Sequence, residues 1–104
     1  MNKKKKAKLE AAGYRVGDAS EFLGLSAQET ALVEMRLALS RALRVQRTKT
    51  HLTQTTLAAK MGSSQSRVAK MEAGDPTVSL DLLIEGLLVA GASAKDVGKA
   101  LATV

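Results

Sequence analysis

Apolar residues recur at helical spacing along most of this chain. They follow i, i+3 and i+4 intervals in five successive stretches, which short polar segments containing glycine, serine or proline separate. A serine or threonine precedes each stretch, where its side-chain oxygen can accept hydrogen bonds from the free N–H groups of a helix start. No stretch alternates apolar and polar residues as a half-buried strand would. The pattern predicts an all-α fold of five helices with an extra N-terminal segment.

The first of these helices is predicted to be the longest. It begins at Ser26, which has capping-box spacing with Glu29, and runs to about Thr48. Its buried stripe is predicted to be Leu32, Met35, Leu39, Ala42 and Leu43. A second, largely basic face, which we expect to point where a DNA backbone could lie, carries Arg36, Ser40, Arg44 and Arg47. Two C-terminal helices are predicted, the first capped by Ser79 and the second opened by Ser93.

Between residues 53 and 74 the pattern predicts two short helices joined by a tight turn. Gly62 lies where the chain must reverse, and a residue without a Cβ accepts a positive φ at no steric cost. Serines follow it, so the second short helix is predicted to begin near Gln65. This arrangement can place one helix of the pair in the DNA major groove. The apolar positions on its two sides are Leu57, Ala58, Met61, Val68 and Met71.

The charges of the chain concentrate around the same pair of helices. The chain has 16 Lys and Arg against 10 Asp and Glu, a net charge of +6. Eight of the basic residues and none of the acidic ones lie between Met35 and Met71, so the remainder of the chain has a net charge of −2. Such a segment attracts a polyanion by releasing its counterions. Tyr14 and Phe22 are the only aromatic residues, too few to stack unpaired bases, so duplex DNA is the expected partner.

The motif resembles a known family of bacterial regulators. Its LTQ opening, Leu57 and Ala58, Gly62, Val68 and the end from Glu72 to Gly74 resemble the lambda-type phage repressor fold, in its Xre branch of transcription regulators, over residues 36–91. The resemblance implies a compact five-helix DNA-binding domain over residues 27–104, with its helix-turn-helix motif at 53–74. One departure is Thr56, where the family usually carries a Glu that completes a capping box. Thr53 can still cap the helix alone.

The resemblance and side-chain chemistry together assign the DNA contacts. Gln65 matches the family position that reaches a base edge, and a Gln amide can pair with adenine N6 and N7. Further base contacts are expected from Ser66, Ala69 and Lys70, although a phosphate contact is as plausible for Lys70. The expected phosphate contacts are Gln54, which matches a phosphate-binding family position, and Ser63, Ser64, Arg44 and Arg67. The resemblance also implies that Arg47 forms a structural ion pair with Glu72, the acidic residue at the end of the second short helix.

Other functional classes find little support in the composition. The chain has no cysteine, hence no disulfide and no thiolate metal ligand, and its single histidine, His51, reads as a surface loop residue. No catalytic constellation is present, so we expect no enzyme activity, cofactor or metal. There is also no long apolar run and no apolar segment after the N-terminal lysines. We therefore expect a cytoplasmic bacterial protein, on the nucleoid when bound, with no membrane contact.

The N-terminal region suggests which kind of regulator this is. Residues 1–12 are predicted to be a basic flexible tail, whose Lys3–Lys8 run is either a solvated tail or an arm that contacts DNA. Residues 13–26 are predicted to form a turn and a short helix at Ser20–Leu23. Their sequence GYRVGDASEFLGLS resembles small HigA-like antitoxins, which neutralise an RNA-cleaving toxin and repress their own operon. We expect a homodimer on a palindromic operator. The alternatives are a stand-alone phage-type repressor and a helical interaction adaptor that does not bind DNA.

Overall fold

The computed structural model describes residues 24–104. Within this range there are five helices and no strand, so the predicted all-α class is confirmed. The predicted basic tail, the turn after it and the short helix at residues 20–23 lie outside the described residues. The helices are α1 Ala27–Lys49, α2 Gln54–Met61, α3 Gln65–Glu72, α4 Leu80–Val89 and α5 Ala94–Leu101.

The chain divides into two compact units, and α1 begins in the first of them, Met1–Glu34. There Ser26 and Glu29 form the capping box that their spacing predicted. The Glu29 N–H donates to Ser26 Oγ and the Ser26 N–H donates to Glu29 Oε1, each over 3.1 Å. The hydrogen bond from the Ser26 backbone lowers the pKa of the Glu29 carboxyl. The predicted domain boundary between residues 26 and 27 stays a prediction.

The second unit, Met35–Val104, holds the remainder of α1 and all of α2–α5. Its core takes side chains from each of these helices, and burial of each large apolar side chain stabilises the fold by roughly 1.5–3 kcal/mol. The apolar spacing of α2 and α3 is confirmed, because Leu57, Ala58, Val68 and Met71 are all buried. The core members contributed by the helices are Leu39, Leu43, Leu57, Ala58, Val68, Met71, Leu83, Leu87 and Val97.

The turn between α2 and α3 has the geometry that the sequence predicted. Gly62 is left-handed, with φ 66° and ψ 34°, and its N–H donates to the carbonyl groups at the end of α2. Thr53 Oγ1 accepts from the Thr56 N–H over 3.0 Å and caps α2. Ser64 Oγ accepts from the Arg67 N–H over 3.2 Å and caps α3. Each short helix therefore has a fixed starting point, and α3 begins at Gln65 as expected.

A glycine in α4 leaves room for a buried side chain of α3. A Cβ at Gly86 would lie 2.7 Å from Met71 Cε, which is closer than packed atoms come, so the end of the Met71 side chain would have to move. Because Gly86 has no side chain, Met71 can bury fully beneath α3. The opposite side of α3 then faces away from the core.

Two predictions about α1 are wrong. Leu32, expected in the buried stripe, is 48% exposed, since helical spacing identifies a face but not how much of its length is covered. Ser40, expected on the basic face, is 2% exposed. The loop after α3 covers this side of α1, because a Cβ at Gly74 would lie 2.9 Å from Leu37 Cδ2 and 4.0 Å from Ser40 Oγ.

The basic face of α1 is also shorter than predicted. Arg36 Nε donates to the Val78 carbonyl over 3.2 Å, and so holds the loop that follows α3. Arg47 is partly buried, with its guanidinium turned to the end of α3. Of the three arginines predicted on this face, only Arg44 is largely exposed, with 69% of its side chain accessible.

The buried hydroxyl of Ser40 yields a stability prediction. Ser40 Oγ has no hydrogen-bond partner among the described residues, and an unpaired buried hydroxyl costs free energy. We expect Ser40→Ala to raise the free energy of unfolding by about 1 kcal/mol more than Ser66→Ala does. The control makes the same change at an exposed helical position, and so measures the gain in helix propensity alone. Urea denaturation followed by circular dichroism compares them, and a less stable Ser40→Ala variant would contradict the prediction.

Candidate nucleic-acid interface

One side of α3 is open to solvent, and it carries the predicted base-contacting residues. Gln65, Ser66 and Lys70 are exposed and Ala69 is half-buried. Val68 and Met71, on the opposite side, are completely buried. The helix therefore presents a polar side without acidic residues, held at a fixed rotation by its apolar side.

The starts of α2 and α3 lie side by side. Gln54 is the first residue of α2, Gln65 is the first residue of α3, and Gln65 Nε2 donates to Gln54 Oε1 over 2.6 Å. The sequence assigned these two residues separate roles and gave no sign that they touch. The contact depends on the angle at which the turn sets the helices, which spacing along the chain does not encode.

Arg47 and Glu72 form a two-pronged ion pair between α1 and the end of α3. Arg47 Nε and Nη2 donate to Glu72 Oε2 and Oε1 over 2.5 and 2.9 Å. The side chains are 16% and 2% exposed. Arg47 Nη1 also donates to the Leu52 carbonyl over 2.9 Å, so the guanidinium ties the connection before α2 to the same pair. The hydrogen bonds to Glu72 raise the pKa of Arg47 above its usual value.

Glu72 connects the ion pair to the two glutamines. Its Oε1 accepts from Gln54 Nε2 over 3.2 Å. We call Glu72, Gln54 and Gln65 the amide relay, since hydrogen bonds run from the carboxylate through both side-chain amides. Arg44 Nε lies 3.8 Å from Glu72 Oε1, but this arginine is largely exposed. The acidic residue of α3 is thus neutralised and turned away from solvent.

Of the five predicted phosphate-contacting residues, Gln54 is part of the amide relay and the other four lie outside it. Arg44 and Arg67 are exposed cations, on α1 and α3 respectively, and Ser63 is half-buried in the turn. Ser64 Oγ accepts the capping hydrogen bond of α3, which leaves its own O–H group as a donor. These groups can all donate hydrogen bonds to an anion.

A shallow depression of about 230 Å³ lies along α3. Two of its lining residues, Thr77 and Val78, were missed by the sequence analysis. Asp75 accepts from the Thr77 N–H and Oγ1 over 2.9 and 2.7 Å, and this Asx-type turn shapes the loop. The Asp-Pro-Thr sequence signals the turn but not its place beside α3. The full lining is Ser64, Ser66, Arg67, Lys70, Thr77 and Val78.

Metal-binding clusters and membrane-spanning helices are both absent from residues 24–104. No group of three or more His, Asp or Glu side chains there is arranged to hold a metal ion. None of the helices in this range combines the length and the apolar character that crossing a bilayer requires.

Two short helices joined at a left-handed glycine, with the second exposing a basic side, define a helix-turn-helix DNA-binding domain. A protein-family model described as Helix-turn-helix matches residues 38–85, from the middle of α1 into α4. This match is to a helix-turn-helix of the Xre and lambda-repressor type, and it supports a DNA-binding transcription regulator. The resemblance expected from the motif is confirmed. No curated protein and no solved structure matches the chain significantly.

The ion pair leads to a prediction about stability. Arg47→Met should lower the free energy of unfolding by about 3 kcal/mol, because it leaves the buried Glu72 carboxylate without its cation. Arg44→Met, which removes an exposed cation near the same carboxylate, should cost less than about 1 kcal/mol. The double variant Arg47→Met, Glu72→Leu should regain most of the loss. Urea denaturation measures the free energy of unfolding of each variant. Equal losses of this free energy in Arg47→Met and Arg44→Met would contradict a stabilising role of the buried ion pair.

Proposed function

We propose that this protein is a sequence-specific repressor of transcription that reads a palindromic operator in duplex DNA as a homodimer. The observation that carries the proposal is the exposed side of α3, from Gln65 to Lys70, which contains donors, an amide and no acid. It lies in a segment with eight basic residues and no acidic one between Met35 and Met71. Such a repressor would act in the bacterial cytoplasm, on the nucleoid.

The geometry supports the proposal that one set of residues contacts bases and another set contacts phosphates. Gln65 is proposed to read a base edge, supported by Ser66, Ala69 and Lys70 farther along α3. Arg47 and Glu72 are proposed to hold α3 in place rather than to touch DNA. The proposed phosphate contacts fix the register of the protein on the duplex and carry no base preference: Gln54, Ser63, Ser64, Arg44 and Arg67.

The size of α3 favours a homodimer. This helix has eight residues, so a single copy reaches only a few base pairs. Two copies related by a two-fold axis would enter successive major grooves about 34 Å apart and read a palindrome. Doubling the number of base contacts raises specificity without a larger domain.

DNA binding can be tested with one pair of variants. Gln65→Ala should cost about 1–3 kcal/mol on the selected operator, through one base position in each half-site, and leave non-specific binding nearly unchanged. Arg67→Ala should weaken binding to all duplexes equally and reduce the salt slope by about 1 per subunit. Selection from a random duplex pool, followed by fluorescence anisotropy over a series of KCl concentrations, measures both effects.

Three outcomes would count against the proposal. Affinity that does not fall with salt, or absence of duplex binding, would favour a helical adaptor without DNA activity. Equal losses on specific and non-specific DNA would make Gln65 a positional contact. A selected site without two-fold symmetry would remove the homodimer on a palindrome.

We further propose that the repressor is the autoregulating antitoxin of a toxin–antitoxin pair. Support comes from the sequence of residues 13–26, which precedes the helix-turn-helix domain and resembles small antitoxins that repress their own operon. The partner would be an RNA-cleaving toxin encoded beside it. The competing hypothesis is a stand-alone phage-type repressor, which needs no toxin as a partner.

The antitoxin proposal predicts that toxin neutralisation and repression can be separated by a substitution in α3. Co-expression of this protein with the small protein encoded next to its gene should restore growth that the small protein alone arrests. Gln65→Ala should keep this rescue but lose repression of a reporter fused to the shared promoter, since the substitution alters only the exposed side of α3. Colony counts and reporter activity measure the two effects. Absence of a toxic neighbour, or failure of the rescue, would leave the stand-alone repressor.

A further inference from the structure

We propose that Glu72, whose side chain is 2% exposed, makes Gln65 favour adenine over guanine by fixing the direction of the hydrogen bonds along the amide relay. The inference rests on the proposed DNA-reading function. It assigns to Glu72 a positioning role in specificity, in addition to its ion pair with Arg47.

The relay starts from a group that can only accept hydrogen bonds. Both oxygens of the Glu72 carboxylate accept hydrogen bonds from Arg47, which holds the group against rotation. An ionised carboxylate has no hydrogen to donate. The side of the Gln54 amide that faces it must therefore be the NH₂ group, as the 3.2 Å contact from Nε2 shows.

The direction of the Gln54 amide then determines that of Gln65. With its NH₂ group toward Glu72, Gln54 presents Oε1 to Gln65. Gln65 therefore turns its own NH₂ group toward Gln54, and Gln65 Nε2 donates to Gln54 Oε1 over 2.6 Å. One of its two N–H bonds is thereby occupied. Gln65 keeps one N–H donor and its Oε1 acceptor for a ligand.

One donor and one acceptor suit adenine but not guanine. The major-groove edge of adenine offers the N7 acceptor and the N6 amino donor, which this pair of groups satisfies. Guanine offers two acceptors, N7 and O6, and would need two donors. If the relay reversed, Gln65 would accept from Gln54 through Oε1 and have both N–H bonds free for guanine. The carboxylate of Glu72 prevents that reversal.

Two variants break the relay in different ways. Gln54→Met removes the acceptor that engages Gln65 and leaves the ion pair of Arg47 and Glu72 intact. Glu72→Gln should turn its new amide oxygen to Arg47 and its NH₂ group to Gln54, which reverses the relay. Thr55→Met is the matched control, since it places the same side chain at an exposed neighbouring position of α2, outside the relay.

The experiment compares duplexes that differ only in having adenine or guanine at the position that loses its preference in Gln65→Ala. Wild type should prefer adenine, and Gln54→Met and Glu72→Gln should each reduce its adenine-to-guanine affinity ratio about tenfold, which corresponds to about 1.4 kcal/mol. Thr55→Met should keep the ratio of wild type. Circular dichroism checks the fold, and Gln54→Met decides the matter if Glu72→Gln does not fold.

The outcomes separate this inference from the proposed function. If wild type selects adenine and either Gln54→Met or a folded Glu72→Gln keeps the adenine-to-guanine ratio within about twofold, the relay does not set specificity and the inference is overturned. Wild type that selects guanine at this position also overturns it, while the DNA-reading function stands. If wild type binds no duplex, the proposed function fails and the inference with it.

Discussion

The position of α3 depends on one guanidinium. Arg47 reaches from α1 to the carboxylate at the end of α3 and to the Leu52 carbonyl before α2. A helix of eight residues is too short to be stable alone, so packing and such contacts must hold it. The apolar residues beneath α3 fix its rotation, and Arg47 fixes where it ends. The exposed side of the helix is therefore presented in one orientation.

The same ion pair resolves an electrostatic conflict. Glu72 lies at the C-terminal end of α3, where the helix dipole disfavours negative charge, and on a helix proposed to approach a polyanion. Arg47 offsets both effects by neutralising the Glu72 carboxylate, and burial keeps that carboxylate away from solvent. The acid then serves as a hydrogen-bond acceptor for Gln54 instead of repelling phosphate. An exposed carboxylate here would weaken the proposed DNA binding. Buried and paired, Glu72 instead helps to hold α3 and Gln54 in place.

Local sequence patterns predicted the helices well. Features that depend on contacts between distant segments could not be predicted. The caps at Thr53 and Ser64 and the turn at Gly62 depend on residues within a few positions, so spacing reveals them. The burial of Ser40 depends on a loop more than thirty residues away, around Gly74. The amide relay likewise joins the starts of two helices to the end of the second, and its geometry follows from their crossing. The family resemblance therefore predicted the pair of Arg47 and Glu72, whereas nothing in the sequence predicted the hydrogen bonds that join Gln54 to Glu72 and to Gln65.

The start of α2 shows a compromise between folding and affinity. Thr53 and Thr56 join their hydroxyl groups over 2.9 Å at the place where related domains carry a carboxylate. That acid would cap the helix more firmly, by about 0.5 kcal/mol. It would also put a permanent anion two residues from Gln54, against any approaching nucleic acid backbone under the proposed binding mode. With an uncharged pair of hydroxyl groups, the start of α2 is slightly less stable and carries no negative charge beside Gln54.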